Sequence, residues 1–214
     1  MLTPRSAGPL ARTDGDAVPG APRRGLAVHR LLPSLVDYET LRLNGTDEVR
    51  LMRWQGQGGE EERPTGLRAE WLDDDGTPKS EFPSSSPAAP VLSRRLAERF
   101  GEELMTAGSL VPVAIDKAEG DDYVLYLVDQ VVDCLDLRRS SKPKRNGEVK
   151  RPVYRPEALP AQLPAFRLPQ FPRAVQWNGW VVDRLLDLTG DQIEARLTWS
   201  EEPGAVVHPD PWGF

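Results

Sequence analysis

Residues 123–128 read Tyr-Val-Leu-Tyr-Leu-Val, six apolar or aromatic side chains in a row. A strand with one wet face alternates, so an unbroken run of this length predicts a strand covered on both sides, the central strand of a sheet. Alternation along it would set Tyr123, Leu125 and Leu127 on one face and Val124, Tyr126 and Val128 on the other. Any fold for this chain must then supply two covering layers. Val111, Val113 and Ile115 alternate just upstream, and the polar stretch 117–122 contains Gly120, which predicts two antiparallel neighbours joined by a reversal.

One cover is legible. Ser93 is a helix-capping residue, and Leu96, Phe100 and Leu104 recur every four positions, predicting a helix that ends by Gly108. For the opposite face the candidates lie downstream: the short Phe166–Leu168 stretch, and a second helix with Val181, Val182, Leu185 and Leu186 between a capping-type Asn178 and Gly190. Ile193, Ala195, Leu197 and Trp199 then alternate as a strand with one wet face. Upstream, residues 27–32 ending at Pro33 read as an edge strand, since proline cannot donate to an interior ladder. Residues 37–54 read as a hairpin about Asn44-Gly45, with Leu41, Leu43, Val49 and Leu51 spaced by two. The expected class is α+β, a mainly antiparallel sheet with two principal packing helices.

The 21 prolines and 18 glycines make up about 18% of 214 residues, against roughly 12% in ordinary globular chains. The excess divides the chain. Residues 1–25 have too few bulky apolar groups to offset the entropy of ordering and read as a flexible arm. Residues 26–202 read as one α+β domain and 203–214 as an irregular tail. No apolar run approaches the roughly 18 residues that span a bilayer, and residues 1–25 lack the apolar middle of a secretion signal, so a cytoplasmic location is expected.

Charge is uneven. The total is −6, but residues 138–151 hold seven basic residues against one acidic. Residues 60–81 hold eight acidic against three basic, and 173–214 seven against three. The negative total, and the lack of any aromatic within the basic stretch, disfavour nucleic acid as a partner. The basic stretch is also rich in turn formers, which fits a solvated loop.

Chemistry-bearing patterns are sparse. The single Cys134 lies between Val132 and Leu135 and reads as a buried small hydrophobe; with one cysteine the sequence offers no disulfide. His29 and His208 belong to no spaced ligand set, and no phosphate-binding glycine loop or serine-nucleophile elbow is present, so neither metal nor cofactor is predicted. Asp129, Asp133 and Asp136 have two readings: bonding to backbone amides at the strand end, or a carboxylate site for a cation or for acid–base work. Asp73, Asp74 and Asp75 precede Gly76 without the spacing of a calcium loop. Trp54, Trp71 and Trp212 fall near polar segments and suit either core packing or a partner surface.

An ordered series of segments carries a resemblance. P-V-L-S-R-R-L-A-E-R-F from Pro90, S-L-V-P-V from Ser109, Y-V-L-Y-L-V-D-Q-V-V-D-C-L-D-L-R-R-S from Tyr123 and F-R-L from Phe166 resemble a bacterial immunity-protein family first described from a myxobacterial protein. Asp133, Cys134, Leu135, Asp136 and Ser140 match its central D-C-L-D-x-x-x-S pattern, and Asn178 stands where a serine usually opens the last helix. The likeness spans about residues 90–199; a long proline-rich passage before Phe166 departs from it. The resemblance implies a non-enzymatic protein that neutralises a toxin encoded nearby by direct contact. On charge, the acidic segments, with Asp73, Asp74, Asp75, Trp71 and Trp212 as interaction candidates, would face such a toxin. Two alternatives stand beside it: an accessory binding module using the basic stretch and the arm, and a hydrolase using Asp133 and Asp136.

Overall fold

The computed structural model describes residues 25–34, 37–56, 62–72, 76–84, 86–116 and 122–213; the proposed arm lies outside them, apart from Gly25. Among the described residues the fold is α+β, with ten strands and three helices. In chain order they are β1 (Ala27–Pro33), β2 (Glu39–Leu43), α1 (Gly45–Gly56), β3 (Leu67–Trp71), β4 (Lys79–Ser84), β5 (Val91–Ser93) and α2 (Arg94–Leu104). Then follow β6 (Gly108–Ile115), β7 (Tyr123–Val128), β8 (Ala165–Leu168), β9 (Phe171–Asn178), α3 (Gly179–Thr189) and β10 (Ile193–Ser200). Two sheets form: an antiparallel one ordered β10-β1-β9-β8, and a mixed one ordered β4-β2-β3-β6-β7-β5.

β6 and β7 pair antiparallel, Gly108 opposite Val128 and Val111 opposite Leu125. The two faces of β7 divide as alternation predicts. Tyr126 and Val128 pack with Leu96, Phe100 and Leu104 of α2, Trp177 of β9 and Val181, Val182 and Leu185 of α3. Tyr123, Leu125 and Leu127 pack with Leu51 and Trp54 of α1. The second cover is therefore α1, whereas the downstream helix α3 joins α2 on the first face. In the sheet β7 is next to last rather than central, with only the three-residue β5 outside it.

The hairpin expected about Asn44-Gly45 is corrected by α1. Asn44 caps a helix instead of turning a hairpin: its side-chain oxygen accepts the Thr46 amide at 3.1 Å, and its carbonyl accepts the Glu48 amide at 2.8 Å. Asp47 and Glu48 occupy the first turn and Arg53 the last, favourable for the helix dipole. The buried positions are Asp47, Leu51, Trp54 and Gln55, while Val49 is 42% exposed.

β1 is also not an edge strand. It lies between β10 and β9, but β9 pairs only with Val28 and His29, so Pro33 sits where the second neighbour has already left. Ser93 caps α2 as its position predicts, its Oγ accepting the Leu96 amide at 3.1 Å. Asn178 precedes α3 without capping it; its side chain donates to the Pro160 and Leu163 carbonyls at 2.9 and 2.7 Å.

Candidate functional site

Past Val128 the chain leaves the ladder and stays ordered without regular structure. Val132 donates to the Arg167 carbonyl at 2.9 Å and Arg167 to that of Gln130 at 2.8 Å, tying the run to β8. A second strand-like contact sets Leu135 opposite Tyr154, with Arg155 donating to Cys134 and Asp136 to Val153, both at 2.8 Å. Asp136 then folds the turn: its carboxylate accepts the amides of Arg138 and Arg139 at 3.0 and 3.2 Å, and its carbonyl that of Ser140 at 2.9 Å. Ser140 Oγ completes the clamp, accepting from the Val153 amide at 2.9 Å and donating to its carbonyl at 3.3 Å.

The D-C-L-D-x-x-x-S pattern thus has a structural use for three of its members. Asp136 and Ser140 bond backbone, and Cys134 is buried beside Leu135, Tyr154 and Phe166, where desolvation pushes its thiol up to about 12. Asp133 is exposed; it accepts from the Gln170 amide at 3.2 Å and lies 3.8 Å from Arg155. Asp129 pairs instead with Arg63. The three aspartates are committed to separate neighbours, and no group of three metal-ligating side chains occurs among the described residues.

Residues 138–151 stand on this framework. Ser141 and Arg151 exchange two bonds, Ser141 N–H to the Arg151 carbonyl at 3.0 Å and Arg151 N–H to Ser141 Oγ at 2.9 Å. Lys144 donates to the Glu148 carbonyl at 2.8 Å, and Gly147 closes the tip with φ +90°, where a Cβ would run into the Gln170 carbonyl oxygen. Val149 is buried, and the Trp212 indole donates to its carbonyl at 3.2 Å. All seven basic side chains point outward: Arg138, Arg139, Lys142, Lys144, Arg145, Lys150 and Arg151 are exposed. Lys144 alone has an ion-pair partner among the described residues, Glu148 at 2.6 Å.

Trp212 is a packing residue. Its ring meets Phe171 edge-on at 5.0 Å with the Arg30 guanidinium 5.4 Å above it. Residues 203–213 lack helix and strand, but they are strapped down. Arg30 donates to the carbonyls of Pro211 and Gly213 at 3.0 and 3.3 Å, and Arg196 reaches Asp210 and Gly213. Burial draws the Arg30 guanidinium down to about 10, with Arg196 adding to the effect and nearby carboxylates opposing it. Trp71 is half-buried, edge-on to Tyr123 at 5.6 Å, and Lys79 lies 4.9 Å over its ring. Trp54 is buried with Arg167 at 5.2 Å. Asp73, Asp74 and Asp75 lie outside the described residues.

Sequence reasoning missed two features. Arg167, the middle residue of F-R-L, is 1% exposed and donates to the carbonyls of Val128, Gln55 and Pro172 at 2.7, 3.1 and 3.0 Å, joining β7, α1 and β9. The other is a cleft of about 550 Å3 where β1, β10 and the start of α3 meet, lined by His29, Trp180, Asp183 and Glu202 among others. Burial pushes the His29 imidazole down, with Asp183 pulling the other way. With two carboxylates in its lining, this cleft suits a basic side chain. No sequence spacing announces it, because His29 and Asp183 come from opposite ends of the chain.

No family model and no curated protein matches this chain. Among the described residues no helix is long and apolar enough to cross a membrane.

Proposed function

We propose that this is an immunity-type protein of the cytoplasm that neutralises a cognate bacterial toxin, encoded nearby, by direct non-catalytic contact. The reading is supported by the ordered resemblance over residues 90–199 and carried, on the structural side, by the open cleft between β1, β10 and α3. Asp183 and Glu202, both within the acidic segment 173–214, line that cleft. Such a surface speeds and orients docking of a basic partner more than it deepens affinity.

Co-expression with the product of the adjacent toxin gene tests the reading. Co-purification as a stoichiometric complex, with restored growth, is the expected result; a toxin that stays unbound and active beside the folded chain contradicts it. The cleft has its own test. Asp183→Asn with Glu202→Gln is expected to slow association about threefold or more at low salt. An unchanged rate would remove the cleft from the interface while leaving the complex intact.

A further inference from the structure

We infer that the basic platform at residues 138–151 is a second docking surface, built for a short acidic segment of a protein partner that also carries an apolar side chain. Three observations lead there. Arg138, Arg139, Lys142, Arg145, Lys150 and Arg151 are exposed and make no ion pair among the described residues, so six like charges stand together with only Glu148 between them. An arrangement of this kind is relieved by an anionic partner.

The platform is also rigid in construction. Its two limbs are joined at Ser141 and Arg151, its base is clamped through Ser140 and Val153, its tip needs Gly147, and Val149 anchors it in a buried cluster. Cations held on an ordered backbone lose less freedom on binding than cations on a free loop.

The partner's chemistry follows from what surrounds the charges. Leu137, next to Arg138, is 57% exposed, an apolar neighbour that a carboxylate-bearing protein can use and a phosphate backbone cannot. No aromatic residue lies within 138–151 to stack a base. The platform carries +6, so the remaining residues carry −12 against the total of −6. A long polyanion running off the platform would meet that negative remainder, whereas a short acidic segment ends before it. Four of the seven cations are arginines, whose planar forks match carboxylates in pairs.

The inference stands on its own surface and does not need the toxin reading, so the two fail separately. The test uses the full chain and a fluorescently labelled peptide of about ten residues, rich in glutamate and aspartate around one leucine. Binding by anisotropy is expected to weaken with added salt. It is expected to fall about tenfold in Arg138→Gln/Arg139→Gln/Arg151→Gln and about threefold in Leu137→Ser, with melting temperatures kept. The inference is overturned if the peptide does not bind the native chain, if the triple variant binds as well as the native protein, or if duplex DNA or RNA binds more tightly than the peptide.

Discussion

β7 and the run that follows it are consecutive in the chain and ordered by opposite means. β7 is held by ladders to β5 and β6 and by burial of both faces, so its order is spread over many similar contacts. Residues 129–155 have only two isolated bridges, and their order rests on scattered backbone bonds tied together by side chains that bond backbone: Asp136, Ser140, Ser141 and Arg155. The difference teaches where a charged surface can be placed. A strand buried on both faces has no room for cations, whereas an irregular run held from below by an aspartate, a serine and a glycine can turn seven of them outward.

The comparison can be broken at its joint first. Arg167→Met removes the donors for three carbonyls, those of Val128, Gln55 and Pro172, and leaves buried acceptors unsatisfied. We expect a loss of ~3 kcal/mol or more by denaturant unfolding, rivalling Leu125→Ala in β7 itself. A loss below ~1 kcal/mol would mean that the guanidinium is not a fastener.

Gly147→Ala should cost less globally, about 1–3 kcal/mol, because it forces a Cβ into φ +90° beside the Gln170 carbonyl at the platform's tip alone. Ser140→Ala should cost about 1 kcal/mol in unfolding yet loosen the Val153 amide locally, which amide exchange resolves. If Ser140→Ala left that amide unchanged, the clamp would not be what orders the run.

The smallest effect is expected from the same device on the regular side of the molecule. Asp47 in α1 accepts the Arg68 amide at 3.0 Å and pairs with Arg50 at 2.8 Å. Burial acts against its carboxylate, but the Arg50 and Arg68 bonds outweigh it and hold it below the usual range. A depressed carboxylate contributes stability above its unfolded value of about 3.9 and loses it as pH falls through the lower folded value. Asp47→Asn should therefore lower stability at pH 7 by a fraction of a kcal/mol up to ~1 kcal/mol and flatten the acid limb below about pH 4. An unchanged acid limb would contradict the assignment.

Where burial follows backbone periodicity, the fold is legible in the amino-acid order. The alternation of Tyr123 to Val128, the Ser93 cap with Leu96, Phe100 and Leu104, and the stop at Gly190 all reappear in the structure. Helix α1 was hidden because two of its four buried positions, Asp47 and Gln55, are polar, which erases the apolar stripe and leaves the spacing of Leu41, Leu43, Val49 and Leu51 to suggest strands. Arg167 and Arg30 were hidden because charged residues are expected at the surface. Asp136 and Ser140 were readable as a pattern, and backbone bonding was one of the two readings open for Asp136. Their partner Val153 was not, since it lies 13 residues beyond Ser140 with no ladder to announce the pairing.

Amide hydrogen exchange of the native chain tests most directly the claim that 138–151 is a fixed platform rather than a solvated loop. The amides of Ser140, Ser141, Lys144, Gly147, Arg151 and Val153 all donate within the protein. They should exchange at least about a hundredfold more slowly than an unstructured peptide; Ser140→Ala should release Val153, and Ser141→Ala should release Arg151. Exchange of all six at the unstructured rate, while the amides of β7 remain protected, would contradict the account.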